Sequence, residues 1–178
     1  HEFTGPDSRK FLNYILAGNI PKIGRVNLNP MLTFKGKLYG DLSVACLSEN
    51  KFLVIGSGTV QDMHKRWFEM HIENFNVTYK NKSDELHGLA LSGPKSRQLM
   101  QKLVKENISN ENFKFKDVKE MYVGGVPAIV NRISFTGELG YEIYVAPHFQ
   151  LKLFEEIEFH GKELNIKPFG SRALMSMR

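Results

Sequence analysis

Two hairpin-like runs, 101 residues apart, constrain the fold of this chain more than any other feature. The first is Phe34, Lys35, Gly36, Lys37, Leu38, Tyr39, Gly40, Asp41, Leu42, Ser43, Val44; the second is Phe135, Thr136, Gly137, Glu138, Leu139, Gly140, Tyr141, Glu142, Ile143, Tyr144, Val145. Phe, Gly, Leu and Val recur in register, and a carboxylate occupies the same slot in each. A duplication that keeps Asp41 and Glu142 equivalent would bring two acids to one central site.

A second echo supports the duplication. Thr4-Gly-Pro-Asp-Ser-Arg9 is answered 88 residues later by Ser92-Gly-Pro-Lys-Ser-Arg97, and a helical apolar pattern follows each. Thr4 and Ser92 are read as N-caps, with the prolines in the first helical turn. The offsets differ, which calls for an insertion in the first half, and the apolar run 51–55 supplies an extra strand. Two long fused halves, about 1–80 and 81–178, fit this repeat better than a solenoid of many short units.

The pattern predicts helices over 6–18, 59–73 (Trp67 inward), 94–105 and 148–160, and from 169 onward. Strands are expected at 25–32, 38–47, 51–56, 76–80, 86–92 and 113–122, with a hairpin over 127–146. Tight turns between strands exclude parallel pairing at those points. The fold class is therefore α+β, with mixed but mainly antiparallel sheets and packed helices. Period-two alternation puts Asp41, Ser43 and Ala45 on one face and Leu42, Val44 and Cys46 on the other, and likewise sets Glu142 and Tyr144 against Ile143 and Val145.

Composition narrows the function. At 178 residues, with 42% hydrophobic and 11% aromatic content, the chain has material for a well-buried core. Its net charge of +5 comes from scattered residues. No run of them would track a nucleic-acid backbone, so no nucleic-acid partner is expected. No apolar run of membrane-spanning length and no signal peptide is present, and the single cysteine, Cys46, reads as a buried small hydrophobe. These features point to a reducing compartment: the cytoplasm, or the mitochondrial matrix in a eukaryote. Gly56-Ser-Gly58 lacks the third glycine of a dinucleotide loop, Gln61 standing there, and reads as a capped turn into a helix. The six histidines are not spaced as metal ligands, so no metal is expected.

The residues quoted so far also carry a family likeness. The run Gly36 to Val44, the segment Leu89-Ala-Leu-Ser-Gly-Pro-Lys-Ser96 and the run Arg132-Ile-Ser-Phe-Thr-Gly-Glu-Leu-Gly-Tyr-Glu-Ile-Tyr-Val145 resemble the folate-binding domain of the glycine-cleavage T-protein (aminomethyltransferase) family. In particular they resemble the C-terminal region of dimethylglycine and sarcosine dehydrogenases. The resemblance covers nearly the whole chain and implies an internally duplicated folate-binding domain of the T-protein type. The flavin domain that precedes this region in the dehydrogenases, and the small C-terminal barrel that follows it, are expected to lie outside the 178 residues.

By resemblance, Asp41 matches the catalytic acid near the reactive folate nitrogens and Glu142 the acid that grips the pterin. Ser43 and Ile55 match pocket-lining positions, and Arg172 matches a basic residue near the folate. Tyr141 and Tyr144 are stacking neighbours. Phe135 stands where relatives usually carry tyrosine, so its ring can stack but cannot donate a hydrogen bond. Leu28 replaces a tyrosine of many flavoenzyme relatives, and Glu138 belongs to the motif but serves the turn. The implied cofactors are tetrahydrofolate, and FAD in the upstream domain of the same chain; the implied substrate partner is a small methylated amine. The implied function is one-carbon transfer forming 5,10-methylenetetrahydrofolate as part of an N-methyl amine dehydrogenase. The alternatives are a non-catalytic folate sensor of the same fold and a stand-alone aminomethyltransferase.

Overall fold

The computed structural model describes residues 1–178, and they divide into two compact units, His1–Asp84 and Glu85–Arg178. All strand pairing is antiparallel.

In the first unit, β1 (Glu2–Thr4), β2 (Val26–Leu32), β3 (Leu38–Ser48), β4 (Lys51–Ile55) and β5 (Thr78–Lys80) form one sheet in the order β2-β3-β4-β1-β5. Helices α1 (Ser8–Ile15) and α2 (Gln61–His71) complete the unit. Alternation along β3 and β4 sends Leu42, Val44, Cys46, Phe52 and Val54 into a core shared with Phe11 and Leu12 of α1 and Phe68 of α2. Burying side chains of this size stabilises the unit by about 1.5–3 kcal/mol each.

In the second unit, β6 (His87–Ser92), β7 (Val118–Val123), β8 (Val126–Asn131) and β9 (Gly140–Val145) pair in the order β6-β9-β8-β7. Helices α3 (Ser96–Leu103) and α4 (Gln150–Gly161) pack Leu99, Met100, Leu103, Leu153 and Ile157 against Val126, Ala128, Val130, Tyr141, Ile143 and Val145. The short helix α5 (Ser171–Ser176) buries no residue.

The two sequence echoes recur as geometry. At the offset of 88, Gly5 (φ 126°) answers Gly93 (φ 124°), and the buried residues Ser8, Phe11, Leu12 and Ile15 of α1 answer Ser96, Leu99, Met100 and Leu103 of α3. At the offset of 101, Gly36 (φ 70°) answers Gly137 (φ 78°), and the pairs Leu28↔Ser43 and Pro30↔Asp41 answer Ile129↔Tyr144 and Asn131↔Glu142. The extra strand β4 stands between β3 and β1, whereas β9 pairs with β6 directly.

Four details differ from the sequence reading. Helices α1 and α3 start later than their Gly-Pro signals, because each glycine's positive φ opens a separate turn, closed by Ser8 N–H donating to Gly5 O at 3.1 Å and Ser96 N–H to Gly93 O at 3.0 Å. Thr4 and Ser92 therefore end strands, and neither helix has a side-chain N-cap bond. The strand expected at 113–122 begins at Val118: Lys116 is left-handed (φ 67°), and Phe113 reaches the core from a turn. On α2 the fully inward residues are His64 and Phe68, while half-buried Trp67 stacks beside Tyr39 at 4.6 Å and His71 at 4.5 Å. Ser57 makes no side-chain cap; backbone bonding from Val60 N–H to Ser57 O closes that turn.

Candidate functional site

In the first unit the strand register gathers three predicted residues on one sheet face. Ser43 lies opposite both Leu28 and Ile55, and Asp41 opposite Pro30, so all five side chains leave the same side. Asp41 is exposed, Ser43 and Ile55 are half-buried, and Leu28 is exposed. This face is not uniformly wet: Val26, Ala45 and Leu53, which also stand opposite one another, are buried on it.

Behind Asp41, on the core side, sits the buried imidazole of His64. Neither of its nitrogens makes a hydrogen bond of good geometry. Two glycines make its space: a Cβ on Gly40 would fall 2.8 Å from Nε2, and one on Gly56 2.9 Å from Nδ1. Burial pushes the His64 pKa down, opposed by the nearby Tyr39 backbone. The ring thus wedges the end of β4 and the residue just before Asp41.

In the second unit Glu142 and Tyr144 share a face of β9 with Asn131 and Ile129 of β8 and with Ala90 and Gly88 of β6. The Tyr144 hydroxyl donates to Glu142 Oε2 at 2.8 Å. Burial pushes the Glu142 carboxyl up from its ordinary value, while the Tyr144 hydroxyl and the neighbouring Asn131 amide oppose that shift. Burial, the Glu142 charge and the bond to Glu142 hold the Tyr144 phenol well above its usual range, so it remains a donor. Gly88 admits the Tyr144 ring, since a Cβ there would fall 2.9 Å from Cε1. Asn131 is fully buried, and neither Nδ2 nor Oδ1 makes a hydrogen bond of good geometry. The sequence reading missed it, because its place opposite Glu142 is visible only once the register is known.

The remaining predicted residues do not join that face. Phe135 lies in the segment between β8 and β9, 41% exposed, with the Arg178 guanidinium 4.6 Å from its ring centroid. Arg172 is exposed in the first turn of α5. Tyr141 points into the core beside Phe113, at 6.0 Å between rings, and is removed from the set of stacking neighbours. The Ser134 hydroxyl donates to the Glu138 carbonyl, in keeping with a turn role for that segment. Cys46 is a buried free thiol. No helix is long and apolar enough to cross a membrane.

Comparison with known proteins places these faces in context. A family model described as the GCVT N-terminal domain matches residues 1–178. The human mitochondrial dimethylglycine dehydrogenase is 38% identical over 177 residues, covering 98% of this chain and 20% of that protein. An aminomethyltransferase of Desulfitobacterium hafniense is 30% identical over 179 residues, covering 99% of this chain and 48% of the relative. The alpha subunit of sarcosine oxidase from a Corynebacterium species is 31% identical over 185 residues, covering 99% and 19%. The chain thus spans about a fifth to a half of these relatives' lengths. Among solved structures, glycine cleavage system aminomethyltransferase T from Bartonella henselae superposes with a TM-score of 0.76 at 21% identity, over 88% of this chain and 42% of that one. Heterotetrameric sarcosine oxidase from Corynebacterium sp. U-96 superposes with a TM-score of 0.70 at 13% identity, over 95% and 82%.

Proposed function

Because this chain belongs to the family of the GCVT N-terminal domain, we propose that it is the tetrahydrofolate-binding, one-carbon transfer module of an enzyme of the dimethylglycine and sarcosine dehydrogenase kind. The observation that carries this reading is the half-buried Glu142 carboxylate, braced by the Tyr144 hydroxyl and faced by a buried amide that makes no hydrogen bond of good geometry. Such a donor and acceptor set fits the pterin ring. A carboxylate accepts two parallel hydrogen bonds from a ring N–H and an exocyclic amine, each contributing on the order of 1.5–3 kcal/mol.

When bound, tetrahydrofolate supplies the nitrogen that takes up a one-carbon unit and leaves as 5,10-methylenetetrahydrofolate. Glu142 holds the pterin, and Tyr144 fixes one carboxylate oxygen so that the charge is already aimed before the ligand arrives. Ser43 and Ile55, which share the Asp41 face of the sheet, are assigned to the lining of the folate site by family resemblance. Phe135 offers a ring to stack, and Arg172 a cation for the acidic end of the folate. Asp41, exposed on its strand, orients the folate nitrogen or takes its proton, a role that contributes about 10²–10⁴-fold when the group is well placed.

The similarity to the mitochondrial dimethylglycine dehydrogenases of human, rat and mouse supports a small methylated amine as carbon source and the matrix as compartment. Oxidation of that amine is assigned to FAD held outside these 178 residues.

The division of roles is tested by following product during amine oxidation in the full-length protein. Asp41→Asn is expected to keep tetrahydrofolate binding but release formaldehyde in place of 5,10-methylenetetrahydrofolate. Unchanged capture in that variant would remove Asp41 from the mechanism.

A further inference from the structure

Asn131 closes β8 with its side chain on the Glu142 face, since Val126, Ala128 and Val130 take the core side. It is fully buried, neither amide atom makes a hydrogen bond of good geometry, and it stands directly opposite Glu142, whose carboxyl its amide helps to hold down. Directly opposed side chains on one sheet face have Cβ atoms about 4.5–5.5 Å apart, within reach of one small ring. Buried amides are nearly always satisfied, and leaving one unsatisfied costs stability. An apolar residue would avoid that cost. The other unit does so at the matching place, where Pro30 lies opposite Asp41.

The two carboxylates therefore differ in their surroundings. Asp41 is flanked on its face by Pro30, Ser43 and Leu28, whereas Glu142 has Asn131 and Tyr144. Glu142 when ionised and Tyr144 as its donor leave nothing to meet an acceptor on a bound ring. A 2-amino-4-oxopyrimidine edge carries acceptors beside its two N–H donors. The Asn131 amide nitrogen has two hydrogens, one for the Glu142 carboxylate and one for such an acceptor.

Resting on the functional reading above, we propose that Asn131 is a specificity-determining residue of the pterin site, donating to a ring acceptor beside the edge that Glu142 grips. The amide hydrogen that Glu142 does not take is kept for the ligand, and binding completes a network the protein leaves open.

The test is calorimetric titration of the purified protein with tetrahydrofolate, with thermal melts taken without ligand, for wild type, Asn131→Leu, Asn131→Asp and Glu142→Gln. Asn131→Leu is expected to weaken binding roughly 10- to 100-fold, the range for leaving one polar ligand group unpaired. Its melting temperature without ligand should stay close to that of wild type, because removing a poorly bonded buried amide offsets the lost support to Glu142; a purely structural amide would instead lower the melting temperature and spare affinity. Asn131→Asp, which places a second carboxylate beside Glu142, should lose affinity as well, because a like charge there disfavours the ionised form of Glu142 that grips the ring and removes the amide donor. Binding of Asn131→Leu within about twofold of wild type, alongside loss in Glu142→Gln, overturns this inference while sparing the pocket. Binding that Glu142→Gln leaves intact overturns the pocket reading itself. Should Asn131→Leu fail to fold, Asn131→Ser replaces it, and unchanged affinity there overturns the proposal.

Discussion

Replacing His64 with leucine should make this protein more stable, and more so in mild acid. In wild type neither ring nitrogen makes a hydrogen bond of good geometry, and although the Tyr39 backbone lies close to the ring, at least one buried polar group goes unpaired at a cost of roughly 1–3 kcal/mol. Leucine of similar bulk removes both while adding a shape mismatch of less than about 1.5 kcal/mol. The net expectation at pH ~7.5 is a gain of about 1 kcal/mol and below about 3 kcal/mol, at about 2–4 °C of melting temperature per kcal/mol. The pH dependence has a fixed sign. Burial holds the folded His64 pKa below the unfolded value of 6.5, so the unfolded state binds the proton first. Wild-type stability is thus lost as pH falls through 6.5 toward the folded pKa, and leucine abolishes that part of the loss. Urea denaturation of both proteins at about pH 7.5 and pH 5.5 reads the effect. Equal or lower stability of His64→Leu at the higher pH, with the same difference at the lower, would refute the reasoning. Gly40→Ala is the companion: its new Cβ would meet the ring at 2.8 Å, and its cost should shrink when His64 is alanine.

Tyr144→Phe removes the donor that opposes the upward shift of Glu142. A carboxyl whose folded pKa is raised loses folded-state stability as pH climbs from the unfolded value of 4.5 through the folded one. The variant should steepen that loss, costing about 1–3 kcal/mol at neutral pH and little near pH ~4, as read by melts across a pH series. Gly36→Ala and Gly137→Ala each place a side chain at φ 70° and 78°, so both should cost a similar amount, about 1–2 kcal/mol. A large inequality in denaturation midpoints would break the equivalence of the two hairpins.

Much of this architecture is legible because it rests on short-range rules. Gly36 and Gly137 sit where positive φ is required, and period-two alternation assigns Asp41, Ser43, Glu142 and Tyr144 to their faces before any pairing is known. Alternation misleads at Phe113 and Phe115, which imitate a strand; Phe113 is a core residue carried by a turn, where the buried Arg132 guanidinium donates to its carbonyl. For Tyr141 alternation is right and the resemblance misleads, since an aromatic beside Glu142 in sequence points with Ile143 and Val145 to the opposite side of the sheet. Asn131 and His64 lay beyond reach, because an unpartnered buried polar group is defined by the neighbours that fail to meet it. Their significance depends on register and on the spaces left by Gly40 and Gly56.

Direct titration with tetrahydrofolate, followed by Trp67 fluorescence and by heat, is the most direct test of the functional reading. Wild type should bind, and Glu142→Ala should lose on the order of 10²–10⁴-fold in affinity, the equivalent of two charge-assisted hydrogen bonds. Binding that persists undiminished without the Glu142 carboxylate would contradict the assignment of this chain as a folate module anchored at that residue.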